Sequence, residues 1–229
     1  MNASDVFAAL GDAALEPAAR DRVAAYGELL LDTNRRVNLT AARDPQAFAA
    51  HVRDALTLAA LVRDPLVDVG SGGGFPAIVL AIATGVNVTL IESVRKKADF
   101  LARVLAELGI AGRVVAERAE IAGHDPHLRE TFASATARAV ASAPVCLELT
   151  FPLLRVGGIA LLQRGAAEPG EQAAVEDAAL VLGAGTTEVV TLAGNRRIVL
   201  ATKQAPTQSR FPRRPGIPER RPLGGHGRG

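Results

Sequence analysis

The fold of this 229-residue chain is constrained most by one glycine-rich stretch, Asp68-Val69-Gly70-Ser71-Gly72-Gly73-Gly74-Phe75-Pro76. It follows a short apolar run and precedes a segment, 76–83, that we predict to be helical. A strand, a tight glycine turn and a helix in this order form a nucleotide-type loop. Gly70 permits the turn, while Gly72 and Gly74 allow the backbone to approach a ligand closely.

The glycine spacing separates two classes of such loops. The dinucleotide-binding fingerprint G-x-G-x-x-G requires a glycine at position 75, where this chain has Phe75. The stretch instead has the pattern D-x-G-x-G-x-G, which begins at Asp68 and resembles the first motif of S-adenosylmethionine-dependent methyltransferases. This pattern favours a loop that holds a methyl donor over one that holds a pyrophosphate.

An acid, Glu92, ends the second predicted strand, which covers 86–91. A carboxylate at this place in a Rossmann-like sheet can accept hydrogen bonds from both hydroxyl groups of a ribose. The alternative is an exposed acid that caps the helix starting near Val94. Because the acid and the glycine loop follow successive strands, we predict that they form one adenosyl-binding site.

Apolar periodicity along the chain predicts an α/β fold. Strand-like segments alternate with segments in which apolar residues recur at helical spacing, which favours a mostly parallel, doubly wound sheet with helices on both faces. The last two strands, 188–192 and 196–203, predict a terminal antiparallel hairpin with Gly194-Asn195 as its turn. The other predicted strands are 66–69, 86–91, 113–115, 132–138 and 159–163, and the predicted helices are 4–14, 17–34, 44–61, 76–83, 95–108, 144–154 and 171–182.

Composition divides the chain into three parts. We predict an N-terminal helical extension over 1–62, packed on a Rossmann-like core over 63–203, and a tail over 204–229 that is rich in proline, glycine and arginine. From Lys203 onward the chain carries seven cations and one acid, although its total net charge is only +2. A segment of this kind cannot fold alone. It is either an arm that binds polyanions or a solubilising tail.

Several classes of protein are disfavoured. The single cysteine excludes a disulfide framework and a multi-cysteine zinc site. His51 and Asp54 lie on one face of a predicted helix, but they lack a third ligand nearby, so we expect no metal. No apolar run is long enough to cross a membrane, and Asp5 and Asp12 interrupt the start of the chain. We therefore expect a bacterial cytoplasmic protein without a membrane partner.

Seven segments, which follow one another over nearly the whole chain, carry a family resemblance. They are Asn38-Leu39-Thr40, His51-Val52-Arg53-Asp54-Ala55-Leu56, Asp68 to Pro76, Glu92-Ser93 with Lys96-Lys97, Arg118-Ala119-Glu120, Ala137-Arg138-Ala139 and Phe211-Pro212-Arg213-Arg214. In combination they resemble the ribosomal RNA small subunit methyltransferase G family, also called the glucose-inhibited division protein B family. The chain departs from that pattern at Ala77, Val79 and Arg164-Gly165.

The resemblance implies a class I S-adenosylmethionine-dependent methyltransferase that modifies N7 of one guanine in 16S ribosomal RNA. By similarity, Gly70 and Phe75 line the methyl donor, Ala119 and Glu120 lie along its adenine, and Arg138 reaches into the active site. The cofactor would leave as S-adenosylhomocysteine. Our complete prediction for the donor site is Asp68, Gly70, Gly72, Gly74, Phe75, Glu92, Ala119, Glu120 and Arg138.

The residues agree with chemistry at N7. The lone pair of guanine N7 lies in the ring plane, so its methylation needs no base and can rest on alignment. Methylation at pyrimidine C5 would need a nucleophilic cysteine, but Cys146 lies in an apolar helical pattern typical of a protein core. The sequence after the fourth strand is Arg138-Ala139-Val140-Ala141, which lacks the Asn/Asp-Pro-Pro-aromatic loop common in exocyclic amine methylation.

Arg138 is the predicted catalytic residue. It ends an apolar strand at the edge where open α/β sheets bind their ligands. Its guanidinium can contact guanine O6, a phosphate or the carboxylate of the donor. The alternative is an ion pair with Glu120 or Asp68.

Recognition of RNA is expected to depend on phosphate contacts. Aromatic residues make up only 3% of the chain and tryptophan is absent, so a stacking platform for single-stranded RNA is not expected. We predict RNA contacts at Lys96, Lys97, Arg164, Arg213 and Arg214. The expected substrate is 16S RNA within the small ribosomal subunit or an assembly intermediate, and the expected protein is a monomer. Two other functions stay open, namely a methyltransferase for a small molecule and a non-catalytic RNA-binding assembly factor.

Overall fold

The computed structural model describes residues 3–224, so residues 1–2 and the end of the predicted tail, 225–229, lie outside the described part. Within that part, seven strands form one sheet. They are β1 (Leu66–Val69), β2 (Val88–Ile91), β3 (Gly112–Val115), β4 (Phe132–Arg138), β5 (Leu154–Arg164), β6 (Ala184–Thr191) and β7 (Arg197–Lys203).

The strand order is β3-β2-β1-β4-β5-β7-β6. Strands β1 to β5 pair in parallel, whereas β7 is antiparallel to both β5 and β6. The order reverses between β1 and β4, and the carboxyl ends of the strands at such a switch point form the crevice in which open α/β sheets bind ligands. The predicted fold class, with its terminal antiparallel hairpin, is confirmed.

Helices cover both faces of the sheet. They are α1 (Ala3–Leu10), α2 (Pro17–Thr33), α3 (Pro45–Leu56), α4 (Ala77–Thr84), α5 (Arg95–Glu107), α6 (Ala119–Ala122), α7 (Ala143–Thr150), α8 (Glu171–Leu182) and α9 (Ile217–Arg220), with a 3-10 turn at Phe151–Leu153. Leu66 belongs to the apolar cluster that contains α1 to α5, and its neighbour Val67 belongs to the cluster that contains α7 and α8. Because successive side chains of a strand point to opposite faces, the two clusters lie on opposite sides of the sheet.

Element ends differ from the predictions where local geometry stops a periodic pattern. The helix predicted over 4–14 ends at Leu10, because Gly11 adopts a left-handed φ of 55°. The helix predicted over 144–154 ends at Thr150, because the Phe151–Leu153 turn and the start of β5 replace its last residues. The short helices α6 and α9 were not predicted, since four residues are too few to show helical periodicity.

The three helices α1 to α3 pack together on the α4 and α5 side of the sheet. Gly27 lies at their closest approach, because a Cβ atom there would come within 2.6 Å of Val6 and 2.8 Å of Phe48. Tyr26, Phe48 and Leu30 are fully buried in the same cluster. The N-terminal helices therefore share one core with the sheet.

Residues 204–224 pack along the opposite side of the fold. Phe211 is buried in the cluster with α7 and α8. Arg129 donates hydrogen bonds to the backbone carbonyls of Thr207, Gln208 and Phe211 at 2.7 to 3.2 Å. The described part of the tail thus lies against the core, although its composition does not allow it to fold alone.

Candidate active site

The glycine loop after β1 forms the centre of the site. Gly70 has a φ of +69°, and a Cβ atom there would lie 2.6 Å from Cγ2 of Val140. Gly74 has a φ of +104°, and its Cβ atom would lie 2.6 Å from Ile78. Both positions therefore exclude a side chain by conformation and by space.

Glu92 connects the carboxyl end of β2 to this loop. Its Oε2 accepts a hydrogen bond from the backbone nitrogen of Gly72 at 2.8 Å, and its Oε1 accepts one from Val94 at 2.7 Å. Glu92 therefore does accept a hydrogen bond at the start of α5, as the alternative expected, but its side chain is buried rather than exposed. A carboxylate has about four lone-pair positions, so Glu92 keeps acceptor capacity for a ligand.

The N-terminal extension supports the loop from outside the sheet. The hydroxyl of Tyr26 donates a 2.6 Å hydrogen bond to the carbonyl of Gly73, and burial raises the pKa of this phenol well above its ordinary value. The side chain of Asn34 bonds to the backbone of Leu39 and Thr40, which places residues 38–40 beside the loop. No sequence pattern indicated that Tyr26 or Asn34 supports the site.

Asp68 lies beneath the loop and is buried, with one carboxylate oxygen accepting a 2.7 Å hydrogen bond from Thr136. Its other oxygen has no hydrogen-bond partner among the described residues. Burial raises the pKa of Asp68 to about 7, with a further contribution from Glu92, against the opposing hydrogen bond from Thr136. Asp68 does not line the cavities around the loop, so the structure places it behind the predicted donor site.

Arg138 lies at the end of β4, over the ring of Phe75, with 5.8 Å between its Cζ and the ring centroid. Its partners are Nδ1 of His51 at 2.8 Å and the carboxylate of Asp54 at 3.4 Å. The alternative ion pairs with Glu120 and Asp68 are not formed. Burial and the Arg138 charge lower the pKa of His51, so the imidazole is neutral at neutral pH and accepts the hydrogen bond.

Two cavities meet at Gly70. The first has a volume of about 320 Å³ and contains Arg138 and Lys97. The second has a volume of about 200 Å³ and lies beyond the ends of β1, β2 and β4. The first is lined by residues that include Leu39, Thr40, His51, Gly72, Phe75 and Glu92, and the second by residues that include Ile91, Ser93, Ala119, Glu120, Val140 and Pro218.

The C-terminal segment closes the second cavity. The backbone nitrogen of Gly216 donates a 2.9 Å hydrogen bond to Oε1 of Glu120, and Arg118 donates another to the same oxygen at 2.9 Å. These bonds lower the pKa of Glu120, although burial opposes them. Pro218 and Glu219 line the cavity. We predicted only RNA contacts for this segment, and no sequence pattern indicated its place beside Glu120.

The residues predicted to bind RNA differ in their exposure and in their partners within the protein. Lys96 is exposed at the start of α5, and Lys97 beside it lines the first cavity. Arg164 ends β5 and donates to the carbonyl of Ala141. Arg213 forms a double hydrogen bond with the fully buried carboxylate of Glu148, whereas Arg214 is exposed. The structure therefore gives Arg213 a structural partner that the sequence did not reveal.

The described residues contain neither a metal-binding cluster nor a membrane-spanning helix. Among residues 3–224, no group of three or more His, Cys, Asp and Glu side chains is placed to hold a metal ion. No described helix has the length and apolar character that a membrane span requires.

Comparison with known proteins identifies relatives over most of the chain. Ribosomal RNA small subunit methyltransferase G from Chloroflexus aggregans is 44% identical over 211 residues, covering 86% of this chain and 87% of that protein. The protein of the same name from Rubrobacter xylanophilus is 41% identical over 87% and 82% of the two chains. An S-adenosylmethionine-dependent O-methyltransferase structure from Thermotoga maritima shares the fold, with a TM-score of 0.52, 17% identity and coverage of 78% and 72%. The family model for rRNA small subunit methyltransferase G matches residues 20–200, and this chain belongs to that family.

Proposed function

We propose that this chain transfers a methyl group from S-adenosylmethionine to N7 of a guanine in 16S ribosomal RNA. The proposal rests on one observation above all. In a member of the rRNA small subunit methyltransferase G family, a glycine cradle, the buried acid Glu92 and Arg138 converge at the switch point of the sheet.

The two cavities at Gly70 fit the two ends of the methyl donor. Glu92 would accept from the ribose hydroxyls, because its carboxylate is held in place by Gly72 and Val94 and keeps free lone pairs. Ala119 and Glu120 would lie along the adenine in the 200 Å³ cavity. When bound, the sulfonium group supplies an activated methyl group.

The reaction needs alignment more than proton transfer. The N7 lone pair forms the new N–C bond as the C–S bond breaks, and the sulfur keeps the electron pair in S-adenosylhomocysteine. No proton leaves N7, so no general base is required, and the neutral His51 serves to orient Arg138. Arg138 would donate to guanine O6, which is next to N7 on the same edge of the base.

The three parts of the chain would act as one catalytic unit. The extension 1–62 supports the glycine loop through Tyr26, and the segment after 203 closes the donor cavity through Gly216 and Pro218. RNA would contact Lys96, Lys97, Arg164 and Arg214, with Arg213 anchoring the segment on Glu148. The substrate would be the small subunit or an assembly intermediate in the bacterial cytoplasm, and the protein would act as a monomer.

Methyl transfer to small ribosomal subunits tests the proposal. Labelled S-adenosylmethionine is incubated with subunits that lack the modification, and the labelled nucleotide is mapped. We expect label at N7 of one guanine in 16S RNA. Label in a small molecule, or in no substrate despite donor binding, would contradict the proposal.

Calorimetric titration with S-adenosylhomocysteine separates an enzyme from a non-catalytic RNA-binding protein. Gly70→Ala places a methyl group against Val140 and is expected to weaken donor binding at least about 100-fold. Gly85→Ala is the matched control, because Gly85 has a similar φ of +77° with open space around it. Glu92→Ala should also abolish donor binding and leave RNA binding nearly unchanged. A wild-type chain that binds RNA without binding the donor would support the non-catalytic alternative.

A further inference from the structure

A third cavity, of about 490 Å³, lies next to the two donor cavities. It shares Arg138 and Ala139 with the 320 Å³ cavity, and Val140 and Ala141 with the 200 Å³ cavity. All three cavities therefore meet at the loop that follows β4. A ligand in the third cavity would lie beside the methyl donor.

The walls of this cavity carry more positive than negative charge. Arg138, Arg164, Arg196 and Arg197 line it, against the carboxylate of Asp54 in the wall and that of Glu171, which pairs with Arg164 and Arg197. Arginine pairs with phosphate through two parallel hydrogen bonds, and four guanidinium groups around one cavity favour a phosphorylated ligand. The volume is sufficient for one nucleotide.

Two arginines of the wall hold the Asp54 carboxylate in place. One oxygen lies 2.8 Å from Nη1 of Arg196, and the other lies 3.4 Å from Nη2 of Arg138. Gln163 lines the same wall and donates to the Asp54 carbonyl at 2.7 Å, while its own Oε1 has no partner among the described residues. The Asp54 carboxylate thus offers acceptor lone pairs at the wall. The bases differ in the donors that they can present to such an acceptor.

Guanine is the base that matches this arrangement. Its N1–H and its exocyclic amine are adjacent donors, and they lie across the ring from N7. Adenine has no N1 proton, and the base of inosine lacks the exocyclic amine. With N7 toward the donor cavities and O6 at Arg138, the N1 edge would face Asp54.

We infer that this arginine-lined cavity takes the target guanine nucleotide, with the Asp54 carboxylate recognising the N1–H and the exocyclic amine. The inference rests on the proposed function, because it identifies how the same site selects its base. Asp54 is therefore a specificity-determining residue, while Arg164 and Arg196 hold phosphate groups of the RNA and Arg197 stays bound to Glu171 and the carbonyls of Gly165 and Ala166.

Nucleotide titration of the full chain loaded with S-adenosylhomocysteine tests this inference. Guanosine, inosine and adenosine 5′-monophosphates are titrated, and arginine Nε–Hε resonances report binding. We expect guanosine monophosphate to shift the resonances of Arg138 and Arg164, with inosine monophosphate binding roughly tenfold more weakly and adenosine monophosphate weaker still. The Asp54→Asn variant should lose this preference, whereas the matched Asp99→Asn variant on the exposed face of α5 should keep it.

Equal affinities for the three nucleotides, an absence of shifts with guanosine monophosphate, or a full preference in Asp54→Asn would overturn the inference. The same wild-type preparation is assayed for methyl transfer to small subunits. If subunits are methylated at N7 while the nucleotides bind without preference, the inference alone fails. If no subunit is methylated, the proposed function fails first.

Discussion

The two segments that flank the sheet reach the proposed donor site by different physical means. The N-terminal extension enters an apolar core through Tyr26 and Phe48 and touches the glycine loop with one hydrogen bond. The C-terminal segment is held by Phe211 and by bonds from two charged side chains, Arg129 to its backbone and Arg213 to Glu148. It touches Glu120 with one backbone nitrogen. The stability of an apolar flank comes from the total apolar area that it buries. The stability of a charged flank comes from a few ion pairs and hydrogen bonds that need good geometry.

We expect the largest loss of stability from a substitution in the charged flank. Glu148→Ala leaves the Arg213 guanidinium, which is only 25% exposed, without its buried partner. Loss of one member of a buried ion pair costs about 3–5 kcal/mol, and we expect the part of the C-terminal segment after Phe211 to loosen. Urea unfolding and proteolysis after residue 203 measure the two effects. Unchanged proteolysis would show that the segment is held by other contacts.

The sheet between the two flanks contributes its own pH dependence to stability, through Asp68. Asp68 has an ordinary pKa of 3.8 and one of about 7 in the folded state, so the folded state binds the proton more tightly. Its stabilising contribution is present below pH 4 and is lost as the pH rises to about 7, by at most about 1.4 kcal/mol per unit. The variant Asp68→Asn should flatten this decline in denaturation curves measured across that range. A decline that persists in the variant would assign it to another group.

The pH dependence of His51 has the opposite sign. Its pKa is lowered in the folded state, so the unfolded state binds the proton more tightly, and stability falls as the pH drops below 6.5. His51→Gln should remove that acid-side decline.

We expect a smaller loss of stability from a substitution in the apolar flank. Tyr26→Phe keeps the ring in its core and removes only the hydroxyl that donates to Gly73. The loss of one buried hydrogen bond costs about 1–3 kcal/mol, and the loosened loop should bind S-adenosylhomocysteine several-fold more weakly. The cost can be compared directly with that of Glu148→Ala in the same denaturation assay. An unchanged donor affinity would show that the extension supports the fold but not the loop.

The smallest effect concerns the exposed part of the charged flank. Arg214 is exposed, so Arg214→Ala should change stability by less than about 0.5 kcal/mol. If Arg214 contacts a phosphate, the variant lowers the salt dependence of RNA binding by somewhat less than one unit of logarithmic slope. Filter-binding curves at several salt concentrations measure the slope, and an unchanged slope would remove Arg214 from the RNA interface.

The difference between the two flanks also explains which features could be predicted from the sequence. The glycine loop and Glu92 could be found because their chemistry is local to two strands and their turns. The helices of the extension showed apolar periodicity, so their existence was predicted although the role of Tyr26 at Gly73 was not. Contacts such as Gly216 with Glu120 join residues that are far apart in the chain and follow no periodic pattern. The composition of residues 204–229 therefore predicted only a basic tail.

Hydrogen exchange on binding of S-adenosylhomocysteine tests most directly whether both flanks are walls of the donor site. We expect slower exchange in three places, namely the glycine loop, residues 38–41 and residues 216–219, with Glu92→Ala showing none of these changes. Protection confined to the glycine loop and the strand ends would show that the flanking segments lie outside the site.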